Sequence, residues 1–201
     1  SPERLYKKSL DHFETEALAG TMPRSDDSIK DKQLGNELLQ STKNLMEHQF
    51  VVQAIQEKAK QFTTKLNINL NPQLLTLHAG HHLMTRFEGT LKDQVNDARI
   101  IQHMHPTPAV AGHPIQDSIQ CIRQLEHFSR GWYAGPIGYV GFDQTEFAVG
   151  IRSALLENNQ LALFAGAGIV DESTTQDEWD EIENKVSTFL KIFNYEASNK
   201  T

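Results

Sequence analysis

Glu178, Glu181 and Lys185 stand at i, i+3 and i+7 near the end of the chain, so on a helix all three share one face. Two carboxylates so placed offer hard oxygen ligands to a cation such as Mg2+. The same residues also read as ordinary helix chemistry, because Thr175 and Glu178 have capping-box spacing and Glu181 with Lys185 that of an i,i+4 ion pair. Glu47, in Lys43-Asn-Leu-Met-Glu-His48, lies off its segment's apolar stripe beside Lys43 and Val51, and alone reads as a surface acid. Arg152 lies in a stretch whose alternation puts Phe147, Val149, Ile151 and Leu155 on one face and Ala148, Gly150, Arg152 and Ala154 on the other. An arginine among small residues has open space above it and suits bidentate recognition of a carboxylate; an arginine on the exposed face of a half-buried sheet is the alternative. Ala165-Gly-Ala-Gly-Ile-Val170 would let backbone N–H groups approach an anion, or mark a bulge or close strand crossing. His78, His81, His82, His103 and His105 raise zinc, but no spacing gives a closed tetrahedral set and no cysteine pair accompanies them.

The elements that must position these residues follow from periodicity. Leu38, Leu45, Val52, Ile55, Ala59 and Phe62 recur at helical steps, with Gly35 as the expected join between a short helix and a long one. Thr64 to Leu70 alternates as a strand that Pro72 ends. One or two strands are expected over Leu74 to Phe87, a short helix over Asp93 to His103, a proline-rich loop over Met104 to Pro114, and a helix over Gln116 to Phe128. Strands are expected over Trp132 to Gly141, Glu146 to Leu155 and Leu161 to Ala165, the last two joined by a turn at Asn158-Asn159. Trp179, Ile182, Val186, Phe189, Leu190 and Phe193 form the apolar stripe of a closing helix. Helices and hairpins segregate along the chain, which favours an α+β fold.

The 201 residues carry 19 basic and 26 acidic side chains, a formal charge of −7, with 38% hydrophobic residues. That composition supports a packed core and excludes disorder as the default. It also argues against nucleic acid and anionic membranes as partners, since both need a basic field. Cys121 is the single cysteine, so no internal disulfide framework exists and a reducing, cytoplasmic setting is expected. The most apolar stretch, Leu161 to Val170, is far shorter than the roughly 20 residues that cross a bilayer.

Taken together, the motifs resemble those of the chorismate-utilising enzymes. The likeness runs through Ser1-Pro-Glu-Arg-Leu5, Glu16-Ala-Leu-Ala-Gly-Thr21 with Pro23-Arg24, Lys43-Asn-Leu-Met-Glu-His48, His82-Leu-Met-Thr85 and His105-Pro-Thr-Pro-Ala-Val-Ala-Gly112. It continues through Arg130-Gly-Trp-Tyr-Ala-Gly-Pro136, Ile151-Arg-Ser153, Ala165-Gly-Ala-Gly-Ile-Val170 and Glu178-Trp-Asp-Glu-Ile-Glu-Asn-Lys185. The resemblance implies antiparallel sheets packed with outer helices, with residues 1–201 forming the C-terminal part of one chorismate-binding catalytic domain truncated at its N-terminus. It further implies that Glu47 and Glu181 ligate Mg2+ with Glu178 in the same acidic cluster, and that Asn44 replaces an acid some relatives carry. One substrate carboxylate would meet the metal, with Lys185 facing that end. The other would meet Tyr133, Arg152 and the backbone of Gly166, Ala167 and Gly168. Gly20, Thr21, His82 and Thr107 would line the ring or the metal-side carboxylate.

Glu3 matches the general acid of the water-adding branch, where it protonates the departing C4 hydroxyl while a lysine activates water for attack at C2. Read without the family, a glutamate at position 3 is a frayed terminus. The family's base lysine lies upstream of the residues present, so this stretch alone is expected to be inactive. Ala19 stands where aminodeoxychorismate synthases carry a lysine. Ala17-Leu18 and the Trp132 to Gly138 run are most similar to isochorismate synthases, and among these to the menaquinone-pathway form over the siderophore one. The expected reaction is isomerisation of chorismate to isochorismate by a monomer or homodimer. A salicylate or anthranilate synthase component and a non-catalytic ligand-binding module are the alternatives.

Overall fold

The computed structural model describes residues 3–77, 80–171 and 173–192. The chain divides into two compact units: a sheet unit of Arg4–His105 and Pro136–Ala148, and a hairpin unit of Ser1–Glu3, Pro106–Gly135 and Val149–Thr201.

The sheet unit holds seven strands: β1 (Arg4–Ser9), β2 (His12–Met22), β3 (Thr63–Ile68), β4 (Gln73–Thr76), β5 (His81–Leu91), β6 (Pro136–Val140) and β7 (Gln144–Val149, its last residue in the other unit). They run in the order β3-β5-β2-β1-β7-β6, with β4 also paired to β5. Helices α1 (Ser28–Gln40), α2 (Thr42–Ala59) and α3 (Asp97–Met104) belong to the same unit. The sheet forms because β2 and β5 alternate buried with less buried positions: Phe13, Thr15 and Ala17 on one strand, Leu83, Thr85 and Phe87 on the other. On α2, His48, Val52, Ile55 and Ala59 are buried at helical spacing, the stripe a helix needs to cover a sheet. Aromatic rings fill the space between, with Tyr6 stacked 5.5 Å from Phe147 and Phe13 meeting Phe62 edge-on at 5.0 Å. The Tyr6 hydroxyl donates to Asp97 at 2.9 Å, and burial followed by that carboxylate pushes its pKa upward.

One expectation changes here. The helix break falls at Ser41, whose backbone N–H bonds Leu38 O while its Oγ accepts from Asn44 N, so one residue ends α1 and caps α2. Gly35 instead lies inside α1, where a Cβ would stand 2.7 Å from Leu74 Cδ2; the glycine permits close packing of the helix on the sheet. Strands β1 and β2 were not legible from periodicity, because β1 is Arg-Leu-Tyr-Lys-Lys-Ser and β2 alternates mainly small and polar residues.

Asp31 ties α1 to the loop before it and to β5. It accepts from Arg24 Nε at 2.8 Å and Ser25 N at 3.0 Å, and His81 Nε2 lies 3.0 Å away. Arg24 foremost, with the Ser25 amide, holds its carboxyl well below the usual range. A depressed folded pKa contributes stability above the unfolded value of about 3.9 and loses it as pH falls through the folded one. Asp31→Asn is therefore expected to lower the melting temperature at pH 7 and to flatten its decline in acid, as thermal melts at pH 7 and below pH 4 would show. His81 also meets Thr76 Oγ1 at 2.9 Å, and His103 packs against Phe62, so both rings take part in structural contacts; His78 lies outside the described residues.

The hairpin unit contains α4 (Pro108–Ala111), α5 (Ile115–Leu125), β8 (Ser153–Glu157), β9 (Gln160–Phe164) and α6 (Thr175–Ile192). The turn expected at Asn158-Asn159 is present, with φ of 47° and 64° joining Glu157 to its partner Gln160, the backbone of a two-residue hairpin turn. The strand expected over 146–155 is interrupted. Gly150 N bonds Gly135 O at 2.8 Å, Ile151 N turns back to Val149 O at 2.8 Å, and Arg152 has φ +50°, so no continuous two-residue alternation runs through Arg152. Residues 132–135 are likewise a turn, closed by Tyr133 N to Arg130 O and Gly135 N to Trp132 O. Phe193, the last residue of the expected apolar stripe, lies outside the described residues. Among the described residues no helix is long and apolar enough to cross a membrane.

Candidate active site

In the hairpin unit, α6 presents the acidic pair as its spacing requires, and its cap decides how one member reads. Thr174 Oγ1 accepts from Asp177 N at 3.2 Å and donates to the Asp177 carboxylate at 2.7 Å. The capping pair is therefore Thr174 with Asp177, one residue earlier than the Thr175-Glu178 pair the sequence offered, and Glu178 has no part in the cap. The Glu178 side chain instead accepts from Ser173 Oγ through Oε1, while its Oε2 is buried and has no hydrogen-bond partner. An unpartnered buried carboxylate oxygen is costly unless a cation or donor meets it.

One turn on, Glu181 pairs with Lys185 at 2.5 Å, and Lys185 Nζ also donates to Gly166 O at 2.8 Å. Gly166 also lies close to Tyr133, since a Cβ there would stand 2.7 Å from Tyr133 Oη. Only glycine lets the phenol approach this backbone. Tyr133 stacks on Phe164, and burial pushes its hydroxyl pKa up, opposed by the nearby Arg130 charge. A Cβ on Gly168 would meet nothing within 4 Å, so the loop backbone there faces open space. The hairpin unit thus gathers Tyr133, Gly166, Glu181 and Lys185 around one loop, with Glu178 on the same helix.

Arg152 is half-buried in the β7–β8 loop, not on a strand. Thr107 is buried at the start of α4, where its backbone oxygen accepts from Ala111 N, and its Oγ1 has no partner. Glu3 does not fray: its carbonyl accepts from Val149 N at 2.8 Å immediately before β1.

The sheet unit holds the remaining candidates. Between Ala19 and Thr21 the β2–β5 register shifts, and the extra residue, Gly20, has φ +76°, a bulge that turns the strand end. Thr21 Oγ1 then meets His82 Nδ1 at 3.1 Å. A Cβ on Gly20 would stand 3.2 Å from both Asn44 Cβ and Leu83 Cδ1, so β2 and the first turn of α2 are in close approach. Glu47 is exposed on α2 one turn beyond Asn44. Its neighbour His48 is buried, with Nε2 2.8 Å from Thr85 Oγ1, and burial lowers its pKa. Gly20→Ala is expected to destabilise by about 1–3 kcal/mol, since it forces a side chain into the left-handed region against two neighbours; urea unfolding measures it.

A family model described as chorismate binding enzyme matches residues 1–194. The chain belongs to the chorismate binding enzymes. It is 39% identical to the chloroplastic isochorismate synthase 2 of Arabidopsis thaliana over 98% of its length, covering 35% of that protein. It is 40% identical to the isochorismate synthase EntC of Escherichia coli over 96% of its length, covering half of that protein. Among solved structures, MenF, the menaquinone-specific isochorismate synthase of Escherichia coli, superposes with a TM-score of 0.86 at 39% identity, over 94% of this chain and 44% of MenF. The chain therefore spans about a third to a half of the relatives it matches. The expected α+β fold of antiparallel sheets with helices is the one observed.

Glu47, Glu178 and Glu181, the residues the resemblance assigns to a cation, are carboxylates, oxygen donors of the kind a hard dication takes, and Glu178 Oε2 is buried without a partner. Within neither unit, among the described residues, do three or more His, Cys, Asp or Glu side chains gather as a metal cluster. Sequence reasoning gave no role to Ser173, Thr174, Glu126 or Arg130. Arg130 opens a quoted motif and the others lie near one, but their roles are contacts that no periodicity encodes.

Proposed function

We propose that the protein carrying this chain converts chorismate to isochorismate. What supports the reading most directly is the arrangement around Gly166, where Tyr133 Oη and Lys185 Nζ both approach one residue of the loop, in a chain similar to isochorismate synthases over nearly its whole length. Lys185 and the Gly166 to Gly168 backbone supply positive charge and N–H groups for a carboxylate-bearing substrate, and Arg152 is assigned to the same role. Glu178 and Glu181 would hold Mg2+, with Glu47 assigned to the same role by its motif, and the ion would supply charge neutralisation for one substrate carboxylate.

In the proposed reaction a water oxygen bonds to C2, the ring double bonds shift, and the C4–oxygen bond breaks. The attacking water gives its proton to a base, and the departing hydroxyl takes one from Glu3 and leaves as water. Glu3 must therefore be protonated at the start of each turnover. Its motif match supports its assignment as the acid, and the bond from Val149 N to its carbonyl anchors the backbone at this residue. Following the likeness to the menaquinone-specific MenF, we assign the product to a menaquinone route. Incubating the full-length protein with chorismate and Mg2+ and separating products by liquid chromatography tests the reading. Isochorismate is expected; salicylate with pyruvate, or anthranilate when ammonia is supplied, would place the protein in another branch.

A further inference from the structure

We infer that Arg130, with Glu126, is a positioning residue that sets the Tyr133 hydroxyl against the Gly166 loop and so governs binding of the substrate carboxylate. The inference rests on the function proposed above. All the residues involved lie in the hairpin unit.

Arg130 makes three directed side-chain contacts. Nε donates to Glu126 Oε2 at 2.8 Å and one terminal nitrogen to Glu126 Oε1 at 2.6 Å, a bidentate pair, while the other terminal nitrogen donates to Val110 O at 2.8 Å. The pairing lowers the Glu126 pKa and raises that of Arg130. With all three of its nitrogens bonded, the guanidinium is held in one orientation, and in it lies 6.0 Å from the centre of the Tyr133 ring. The backbone adds a second tie, Tyr133 N to Arg130 O at 2.9 Å. Tyr133 thus packs against both Arg130 and Phe164, with its Oη beside Gly166. Through Val110, the same guanidinium holds α4, whose cap is Thr107 with its buried, unpartnered hydroxyl. Two residues assigned to the substrate are therefore organised by one side chain that the sequence did not single out.

A plain salt bridge between Glu126 and Arg130 would explain the pair without reference to Tyr133, and exchanging the charges separates the two accounts. Arg130→Lys and the double exchange Glu126→Arg with Arg130→Glu are compared in the full-length protein. The lysine variant loses the fork, and the exchange keeps an ion pair but puts a carboxylate beside the Tyr133 ring. In both, KM for chorismate is expected to rise roughly tenfold with kcat changed less than about twofold, the pattern of lost uniform binding. Mg2+ affinity is expected to stay at the wild-type value. A ligand-free readout stands beside these: fluorine NMR of 3-fluorotyrosine-labelled protein, with the Tyr133 resonance assigned from Tyr133→Phe, should show that resonance shifted in both variants. Full recovery of KM by the charge exchange, or an unmoved Tyr133 resonance, overturns the inference. A moved resonance in a protein that does not turn over chorismate supports the positioning and refutes the proposed function instead.

Discussion

Glu3→Gln is expected to cut turnover of chorismate by about 10²–10⁴-fold, the usual worth of a general acid, while leaving chorismate affinity within about twofold of wild type. Glutamine matches glutamate in size and keeps a hydrogen-bonding head, so packing and the backbone bond from Val149 N to residue 3 persist in the variant. What is lost is the proton that the proposed mechanism takes from Glu3. The C4 hydroxyl is a poor leaving group unless protonated as it departs, so the deficit falls on kcat. Steady-state kinetics with a separate binding measurement on the inactive variant check it. A Glu3→Gln enzyme that turns over at the wild-type rate would remove Glu3 from the chemistry.

Glu181→Gln carries the second large effect, and its direction follows from the contacts of α6. Glu181 is half-exposed and balanced by Lys185, which is itself tied to the Gly166 carbonyl. Replacing the carboxylate removes an anionic oxygen donor and leaves the lysine charge uncompensated beside the place assigned to the cation. Both changes oppose Mg2+. Its affinity should fall by at least the roughly 10–100-fold that loss of an outer partner brings, with activity falling in step at fixed Mg2+ and recovering partly at high Mg2+. Isothermal titration with Mg2+ reads this without turnover. Unchanged affinity would take Glu181 out of the metal site.

The sequence carried the peripheral helices and the last hairpin more clearly than the middle of the sheet. α2 and α6 showed themselves through apolar steps of three and four, and the Asn158-Asn159 turn through residues that tolerate positive φ. β1 and β2 lie at the centre of the sheet, yet β1 breaks the alternation by burying the adjacent Leu5 and Tyr6, and β2 buries the small Thr15 and Ala17 beside Phe13, which leaves little hydrophobic contrast between its faces. Arg152 was read onto a strand that its own left-handed φ and the Gly135–Gly150 bond interrupt, a tertiary contact that no local pattern announces. Glu178 shows the reverse: spacing offered it to the helix cap, and the cap settled one residue earlier, leaving its carboxylate oxygen buried without a partner.

Turnover of chorismate in water enriched in heavy oxygen tests the central claim most directly. The account predicts that the full-length protein with Mg2+ yields isochorismate whose new C2 hydroxyl carries the solvent label. Isochorismate formed without label, or formation of anthranilate or salicylate in its place, would contradict it.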